Sequence, residues 1–190
     1  MADDIQLIRL VLLGDQMAFE SLVKRYQNYV FTITFKVLKN RELAEEVAQD
    51  VFIKVYKMLG SYQQKSKFST WLYTVAYRCA LDEARKKRLY TDSIESDNSF
   101  LQIEDLEGAS PAGNLEQKDL KRALQEAINQ LKPVDASVIT LFYLHEKSVQ
   151  EIAEITGLTN SNIKTKLHRL REQLRGKLIA LLKTEVKDLI

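Results

Sequence analysis

The segment SVQEIAEITGLTNSNIKTKLHRLR, residues 148–171, carries the clearest fold signal in the chain. Ser148 can cap a short helix, and Gly157 stands where a tight turn needs a residue that tolerates a left-handed backbone. Thr159 can cap a second helix, whose apolar residues recur at helical spacing: Ile163, Leu167, Leu170 and Leu174. Two helices joined in this way predict a helix-turn-helix.

The outer face of the second helix in this segment is polar and basic. Opposite the leucine stripe lie Ser161, Thr165 and His168, and they are flanked by Asn162, Lys164 and Arg169; these side chains can donate hydrogen bonds or carry charge. Such side chains in the N-terminal half of a helix suit the reading of base edges in the major groove. An ordinary solvated helix face would look similar, so the prediction of duplex DNA binding depends on the turn and the basic content together.

Residues 42–59, much earlier in the chain, predict an amphipathic helix. At about 100° per residue, the apolar and small side chains fall in one half of the helical wheel, and most charged and amide side chains fall in the other. Ile53 and Tyr56 lie on the polar half, where a solvated helix has no need for them. Helices are also expected at residues 4–13, ended by Gly14, and 16–38, capped by Asp15.

A polar loop at residues 60–67 leads into an aromatic helix that ends in a basic cluster. Ser69 is the expected N-cap, with Phe68 and Tyr73 as a hydrophobic staple around it. Aromatic rings stack unpaired bases while lysine and arginine bind phosphates. The segment therefore predicts a surface for single-stranded DNA, formed by Tyr62, Lys67, Phe68, Trp71, Arg78, Arg85, Lys86 and Arg88. Taken singly, Phe68 and Trp71 would more often be core residues.

Charge and composition divide the chain into parts. Residues 91–117 contain seven acidic residues and no lysine or arginine, although the whole chain has a net charge of only +2. With 6 glycines and 2 prolines in 190 residues, long helices with short connections are favoured. We therefore predict an all-α protein with two small helical domains, residues 1–90 and 116–190, joined by an acidic flexible linker at 91–115.

The composition also excludes several classes of protein. Cys79 is the single cysteine, which excludes an internal disulfide framework. The N-terminus has no basic segment typical of a signal peptide, and no apolar run approaches the roughly 20 residues of a membrane span. A cytoplasmic protein without membrane insertion is expected.

Several stretches together resemble the extracytoplasmic-function (ECF) group of bacterial RNA polymerase sigma factors, across nearly the whole chain. AFESL (18–22), ELAEEVAQDVF (42–52) and KFSTWL (67–72) are similar to the family's second region. EIAEITGLT (151–159) and IKTKLHRLR (163–171) are similar to its fourth region. The resemblance implies an alternative sigma factor that binds core RNA polymerase and directs promoter-specific initiation at −35 and −10 elements.

The resemblance also implies a role for each surface. The polar face carrying Glu46, Gln49, Asp50, Ile53 and Tyr56 would dock on the clamp helices of the largest polymerase subunit. The aromatic and basic segment would stabilise melted −10 DNA, and the helix-turn-helix would read the −35 element. The flap of the second-largest subunit and an inhibitory anti-sigma factor are further implied partners. The acidic linker would follow the polymerase's RNA path, or serve only as a solubilising tether.

One residue departs from the family pattern. Arg78 stands where the family often has an asparagine that helps to read −10 bases, so the resemblance implies no base preference here. Arg78 would instead add affinity for phosphate. The neighbouring Cys79 fits an apolar position and is expected to pack rather than to sense redox state.

Two other classes of protein remain as alternatives. A plain helix-turn-helix regulator would use residues 1–90 for effector binding or dimerisation, and would bind its operator without polymerase. An enzyme would need a site, and the four acids at residues 42–50 stand at helical spacing that a carboxylate metal site uses. Both histidines, however, lie after residue 144, and no phosphate-binding loop or nucleophile motif is present. No catalytic residue, metal site or cofactor is therefore expected.

Overall fold

The computed structural model describes residues 3–91 and 123–187, and all regular elements within these ranges are helical. The helices are α1 (Asp4–Leu12), α2 (Gln16–Leu38), α3 (Arg41–Met58), α4 (Phe68–Thr91), α5 (123–129), α6 (Pro133–Tyr143), α7 (Val149–Thr156) and α8 (Asn160–Lys187), with a 3-10 turn at Leu59–Ser61. The chain divides into two compact units. The all-α prediction is confirmed, while the predicted linker beyond Thr91 lies outside the described residues.

The first unit is a bundle of α1 to α4 with α2 at its centre. α2 packs against each of the other three helices and buries Leu22, Val30 and Ile33 almost completely. α3 adds Val51 to the same core and α4 adds Leu72, both fully buried. Each such side chain contributes about 1.5–3 kcal/mol when it leaves water, so this apolar centre holds the outward faces of α3 and α4 in place.

Side-chain caps set the starts of α2 and α3. Asp15 accepts a hydrogen bond from the Ala18 N–H at 3.1 Å, as expected. Gly14, with φ of +96°, makes the turn before it, as the sequence predicted. The Asn40 side chain accepts a hydrogen bond from the Leu43 N–H at 2.8 Å and so caps α3.

The start of α4 differs from the prediction. The Lys67 carbonyl accepts hydrogen bonds from the N–H groups of Thr70 and Trp71, so Lys67 occupies the N-cap position and the helix begins at Phe68. Ser69 lies within the first turn, and its prediction as the N-cap was wrong. The physical reason is tertiary packing, because Phe68 is buried against the ring of Tyr26 and is thereby drawn into the helix.

The helices α7 and α8 form the helix-turn-helix. Ser148 Oγ accepts from the Glu151 N–H at 3.2 Å and Thr159 Oγ1 accepts from the Asn162 N–H at 3.2 Å, so both predicted caps are confirmed. Gly157 between the two helices has φ of +73°. The predicted apolar stripe of α8 is buried: Ile163, Leu167, Leu170 and Leu174. Among the helices of the described ranges, none is both long and apolar enough to cross a bilayer.

A lysine is buried in α2 of the first unit. Lys36 is 1% exposed, and burial, followed by the charge of Lys39, lowers the pKa of its ammonium group to about 8. In the unfolded chain the pKa returns to about 10.4. Between these two values the folded state binds fewer protons than the unfolded state, so the free energy of unfolding rises with pH in this window.

We expect Lys36→Met to raise the free energy of unfolding at neutral pH by about 2 kcal/mol, because methionine keeps an unbranched chain and removes the buried charge. Denaturant titrations at about pH 7, 8.5 and 10 should show that the rise in stability of the wild type is flattened in the variant. Lys24→Met is the matched control, since Lys24 on the same helix is 69% exposed. A Lys36→Met variant that is less stable than wild type at neutral pH would contradict the prediction.

Candidate nucleic-acid interfaces

The recognition helix, defined here as residues 160–171 of α8, presents its predicted side chains to solvent. All six are exposed: Ser161, Asn162, Lys164, Thr165, His168 and Arg169. Thr165 Oγ1 donates to the Ser161 carbonyl at 3.0 Å, which ties this hydroxyl to the helix backbone. The leucine stripe of this helix is buried, whereas these six side chains face solvent.

A buried carboxylate from α6 holds one flank of the recognition helix. Asp135 accepts hydrogen bonds from Lys166 Nζ at 2.6 Å and from Arg169 Nη2 at 3.2 Å. Neither Asp135 nor Lys166 was predicted from the sequence as a functional residue. A carboxylate in the first turn of α6 was the available signal, but its partners on α8 follow only from the tertiary fold.

An aromatic pair holds the other flank of the recognition helix. Arg171 Nε donates to the Tyr143 hydroxyl at 2.5 Å. The Arg171 guanidinium also lies 5.8 Å from the ring centroids of Phe142 and Tyr143, within range of a cation–π contact. With Asp135 on one side and Tyr143 on the other, α6 fixes the orientation of the recognition helix within the second unit.

In the first unit, Tyr62, Phe68 and Trp71 form an aromatic cluster. The ring centroids of Tyr62 and Phe68 lie 5.3 and 5.7 Å from that of Trp71. Phe68 is only 3% exposed, whereas Tyr62 and Trp71 are half-buried. The expectation that Phe68 itself faces DNA is therefore corrected: it lies beneath the other two rings and supports them.

The hydroxyl of Tyr62 is anchored to the loop that precedes α4. It donates to the Ser66 carbonyl at 2.7 Å, which closes the loop onto the ring. Burial, and to a smaller extent the charge of Asp4, raises the pKa of this hydroxyl. Tyr62 therefore stays neutral at physiological pH, and its ring remains compatible with an approaching polyanion.

Three predicted cations of α4 are exposed, and two of them lie close to acids of the same helix. Arg78, Arg85 and Lys86 are all exposed. Arg85 Nη1 lies 3.6 Å from Asp82 Oδ1, and Lys86 Nζ lies 3.0 Å from Glu83 Oε2. Exposed pairs of this kind contribute little to stability, so both cations can exchange a carboxylate for a phosphate. Lys67 is exposed in the preceding loop, and the side chain of Arg88 lies outside the described residues.

The outward side of α3, here called the α3 outer face, consists of Glu46, Gln49, Asp50, Ile53 and Tyr56. All five side chains are exposed, and Ile53 and Tyr56 remain 54% and 47% exposed. The Tyr56 ring contacts Phe19 of α2 edge to face at 4.9 Å between centroids. Acids, an amide and two large apolar groups thus share one solvent-facing surface.

The four acids at residues 42–50 of α3 were the candidates for a carboxylate metal site. Over the described ranges, no grouping of three or more histidine, cysteine or acidic residues is placed to hold a metal ion.

Cys79 is half-buried, with Lys54 Nζ 3.8 Å from its Sγ. Burial raises the pKa of its thiol although Lys54 opposes this, which agrees with a packing role.

Two segments of the chain, which contain these surfaces, match known protein families. Residues 22–90 match the family model of Sigma-70 region 2, and residues 121–174 match that of Sigma-70, region 4. The chain is 34% identical over 177 residues to the ECF RNA polymerase sigma factor SigW of Bacillus subtilis, covering 90% of this chain and 94% of that protein. It is 29% identical over 187 residues to the RNA polymerase sigma-H factor of Pseudomonas aeruginosa, covering 95% and 96%.

Two solved structures share the fold at low sequence identity. The sigma factor RpoE of Bartonella quintana, solved with the anti-sigma factor NepR, is 22% identical with a TM-score of 0.67, covering 84% of this chain and 96% of that one. CnrH, solved with the cytosolic domain of CnrY, is 19% identical with a TM-score of 0.64, covering 93% and 97%. Together with the family models and the SigW relationship, these findings show that the chain belongs to the ECF family of RNA polymerase sigma factors, as an alternative sigma factor that directs promoter-specific transcription.

Proposed function

We propose that this sigma factor divides promoter recognition among three surfaces. The α3 outer face binds core RNA polymerase, the aromatic cluster with the cations of α4 holds melted −10 DNA, and the recognition helix reads the −35 element. The first two belong to a domain at residues 1–90 and the third to a domain at 116–190, with the acidic strip at 91–115 between them. Its role is binding, without catalytic chemistry of its own.

The strongest support for this proposal comes from the recognition helix. All six of its predicted side chains are exposed on the side opposite the buried stripe, which is the arrangement that a major-groove reader needs. Lys164 and Arg169 carry charge for phosphates or guanine, while Asn162 offers both a donor and an acceptor to adenine. Each well-formed base contact contributes about 1–3 kcal/mol of discrimination.

The aromatic cluster suits an unpaired strand. Tyr62 and Trp71 keep part of their rings exposed above the buried Phe68, and exposed cations follow along α4. Stacking contributes about 1–3 kcal/mol per base, which offsets the few kcal/mol that an extruded base costs. In place of the family's frequent asparagine, Arg78 supplies a cation, so we propose a phosphate contact at this position rather than a base contact.

The α3 outer face suits a cationic protein partner with an apolar groove. Glu46 and Asp50 supply negative charge, and Ile53 and Tyr56 supply apolar surface that would leave water on binding. By family resemblance we assign this partner to the clamp helices of the largest polymerase subunit. The second domain would bind the flap of the second-largest subunit, and the acidic strip would follow the RNA path.

An inhibitory partner is a further part of the proposal. The RpoE structure from Bartonella quintana contains an anti-sigma factor. We propose that this chain too is held inactive by a protein of that kind, which would cover surfaces needed for polymerase or DNA.

Run-off transcription with purified bacterial core polymerase and a genomic promoter library tests the proposal. We expect specific transcripts only when this chain is added, since a sigma factor supplies the promoter preference that core enzyme lacks. Gel-shift assays of the chain without polymerase serve as the control and should show weak promoter binding or none. Tight operator binding by the chain alone, with no specific initiation, would favour the plain helix-turn-helix regulator instead.

A further inference from the structure

Asp135 is a buried carboxylate beneath the flank of the recognition helix. Its side chain is 8% exposed, and it lies in the first turn of α6. Each of its two oxygens accepts a hydrogen bond from a different residue, Oδ1 from Lys166 and Oδ2 from Arg169. A carboxylate removed from water needs such cationic partners, so Asp135 holds two positive charges of α8 at defined places.

The two cations are held to different degrees. The Lys166 side chain is 21% exposed, whereas that of Arg169 is 63% exposed. Lys166 is therefore largely kept from the solvent side of the helix. Arg169 gives Nη2 to Asp135 and retains the other donors of its planar guanidinium for a partner outside.

We propose that Asp135 is a specificity-determining residue in −35 recognition, which acts by positioning these two cations. It withholds Lys166 from phosphates and fixes the guanidinium of Arg169 in one orientation. Phosphate contacts add affinity for every sequence, whereas base contacts distinguish sequences. Withholding a cation thus lowers non-specific binding, and a fixed arginine is less able to adapt to a wrong base. The inference rests on the assignment of α8 to −35 DNA.

Asp135→Asn tests this role, because asparagine keeps the shape and removes the charge. The full chain would be assembled with core polymerase and titrated with duplexes randomised over the −35 segment, at several salt concentrations. We expect tighter binding of non-cognate duplexes, with a salt slope steeper by about 0.9 for the phosphate contact that Lys166 gains. Discrimination among −35 sequences should fall about tenfold. A carboxylate that only supports the fold would leave the salt slope unchanged.

Two further variants separate the roles of the cations. Lys166→Met alone should leave the salt slope unchanged, because this lysine is withheld from phosphates. In the Asp135→Asn background it should return the salt slope to the wild-type value while discrimination stays low. Arg171→Met is the matched control, since it removes a cation of the same helix that is held by Tyr143; it should not tighten non-cognate binding.

The results of these experiments distinguish a failure of the inference about Asp135 from a failure of the proposed function. If Asp135→Asn weakens binding of every duplex and leaves the salt slope unchanged, Asp135 only supports the fold and the inference is overturned. If Asp135→Asn does not fold, Lys166→Met decides, because a shallower slope would place Lys166 on a phosphate already. A wild type without any −35 preference would overturn the proposed function and this inference with it. A wild-type preference that Asp135→Asn leaves intact would overturn the inference alone.

Discussion

Replacing Asp50 and Ile53 together by alanine is expected to weaken binding of core RNA polymerase about 30-fold or more and to leave the chain folded. Ile53 is 54% exposed on α3, and Asp50 lies one turn before it, so both side chains reach the same partner. The few hot-spot residues at the desolvated centre of an interface cost 2 kcal/mol or more when truncated, which corresponds to about 30-fold in affinity.

The fold should survive this double substitution because neither side chain belongs to the core. Both are exposed, and exposed substitutions usually change the free energy of unfolding by less than about 0.5 kcal/mol. Circular dichroism and a thermal melt check this directly. Fluorescence anisotropy of labelled chain titrated with core polymerase then measures the affinity.

Met17→Ala with Glu20→Ala is the matched control for the α3 outer face. It removes one apolar and one acidic side chain from α2, where Met17 is 70% exposed and the Glu20 side chain 47% exposed. We expect this pair to bind polymerase as wild type does. Equal losses in both double variants would indicate a general effect of surface charge, and wild-type affinity of the Asp50 and Ile53 variant would move the docking surface elsewhere.

Features that depend on local spacing could be predicted from the sequence. Gly14 and Gly157 were assigned to turns and have positive φ values, because a glycine between two periodic segments has few other uses. The buried stripe of α8 followed from the recurrence of leucine and isoleucine at helical spacing. The exposure of Ile53 and Tyr56 followed in the same way from the wheel of α3, since angle along a helix is fixed by residue number.

Features that depend on tertiary packing were missed. The start of α4 was placed two residues late because a serine is a good cap in isolation, while burial of Phe68 decided the matter. Asp135 is separated from its partners Lys166 and Arg169 by 31 and 34 residues. Nothing in their spacing pairs them, and only the crossing of α6 and α8 brings them together.

The same distinction between local spacing and tertiary packing applies to the site residues. Their exposure on one helix face follows from periodicity, but the use that each side chain makes of its hydrogen bonds does not. Arg169 looked free to read a base, yet the structure gives one of its nitrogens to a buried carboxylate. Phe68 looked like a stacking ring, yet it lies beneath Trp71.

Trp71→Ala is expected to lower the formation of open promoter complexes about 5- to 150-fold, with little effect on core or −35 binding. The expected size follows from a stacking energy of about 1–3 kcal/mol per base, at about 1.4 kcal/mol for each factor of ten. Trp71 is half-buried, so its ring rests on Phe68 and keeps a side for an unpaired base. Permanganate reactivity of the −10 thymines measures opening.

Two substitutions control for the loss of packing in Trp71→Ala. Trp71→Phe keeps an aromatic ring and should recover most of the activity. Thr74→Ala removes a half-buried side chain one turn later, whose hydroxyl donates to the Thr70 carbonyl at 2.9 Å. It should open promoters as wild type does. Thermal melts of all three variants would show whether a defect in opening merely reflects an unstable first unit.

A template with a preformed −10 bubble separates stacking from melting. Because the bubble removes the cost of unpairing, a residue that only helps to separate strands should become dispensable on it. The loss of a ring that stacks on a base should still weaken binding, so we expect Trp71→Ala to bind the bubble about fivefold more weakly or worse. Full recovery on the bubble would restrict Trp71 to strand separation. Wild-type behaviour on both templates would leave Trp71 as a core residue, and the single-stranded DNA surface would then have to be formed by Tyr62 and the cations of α4 alone.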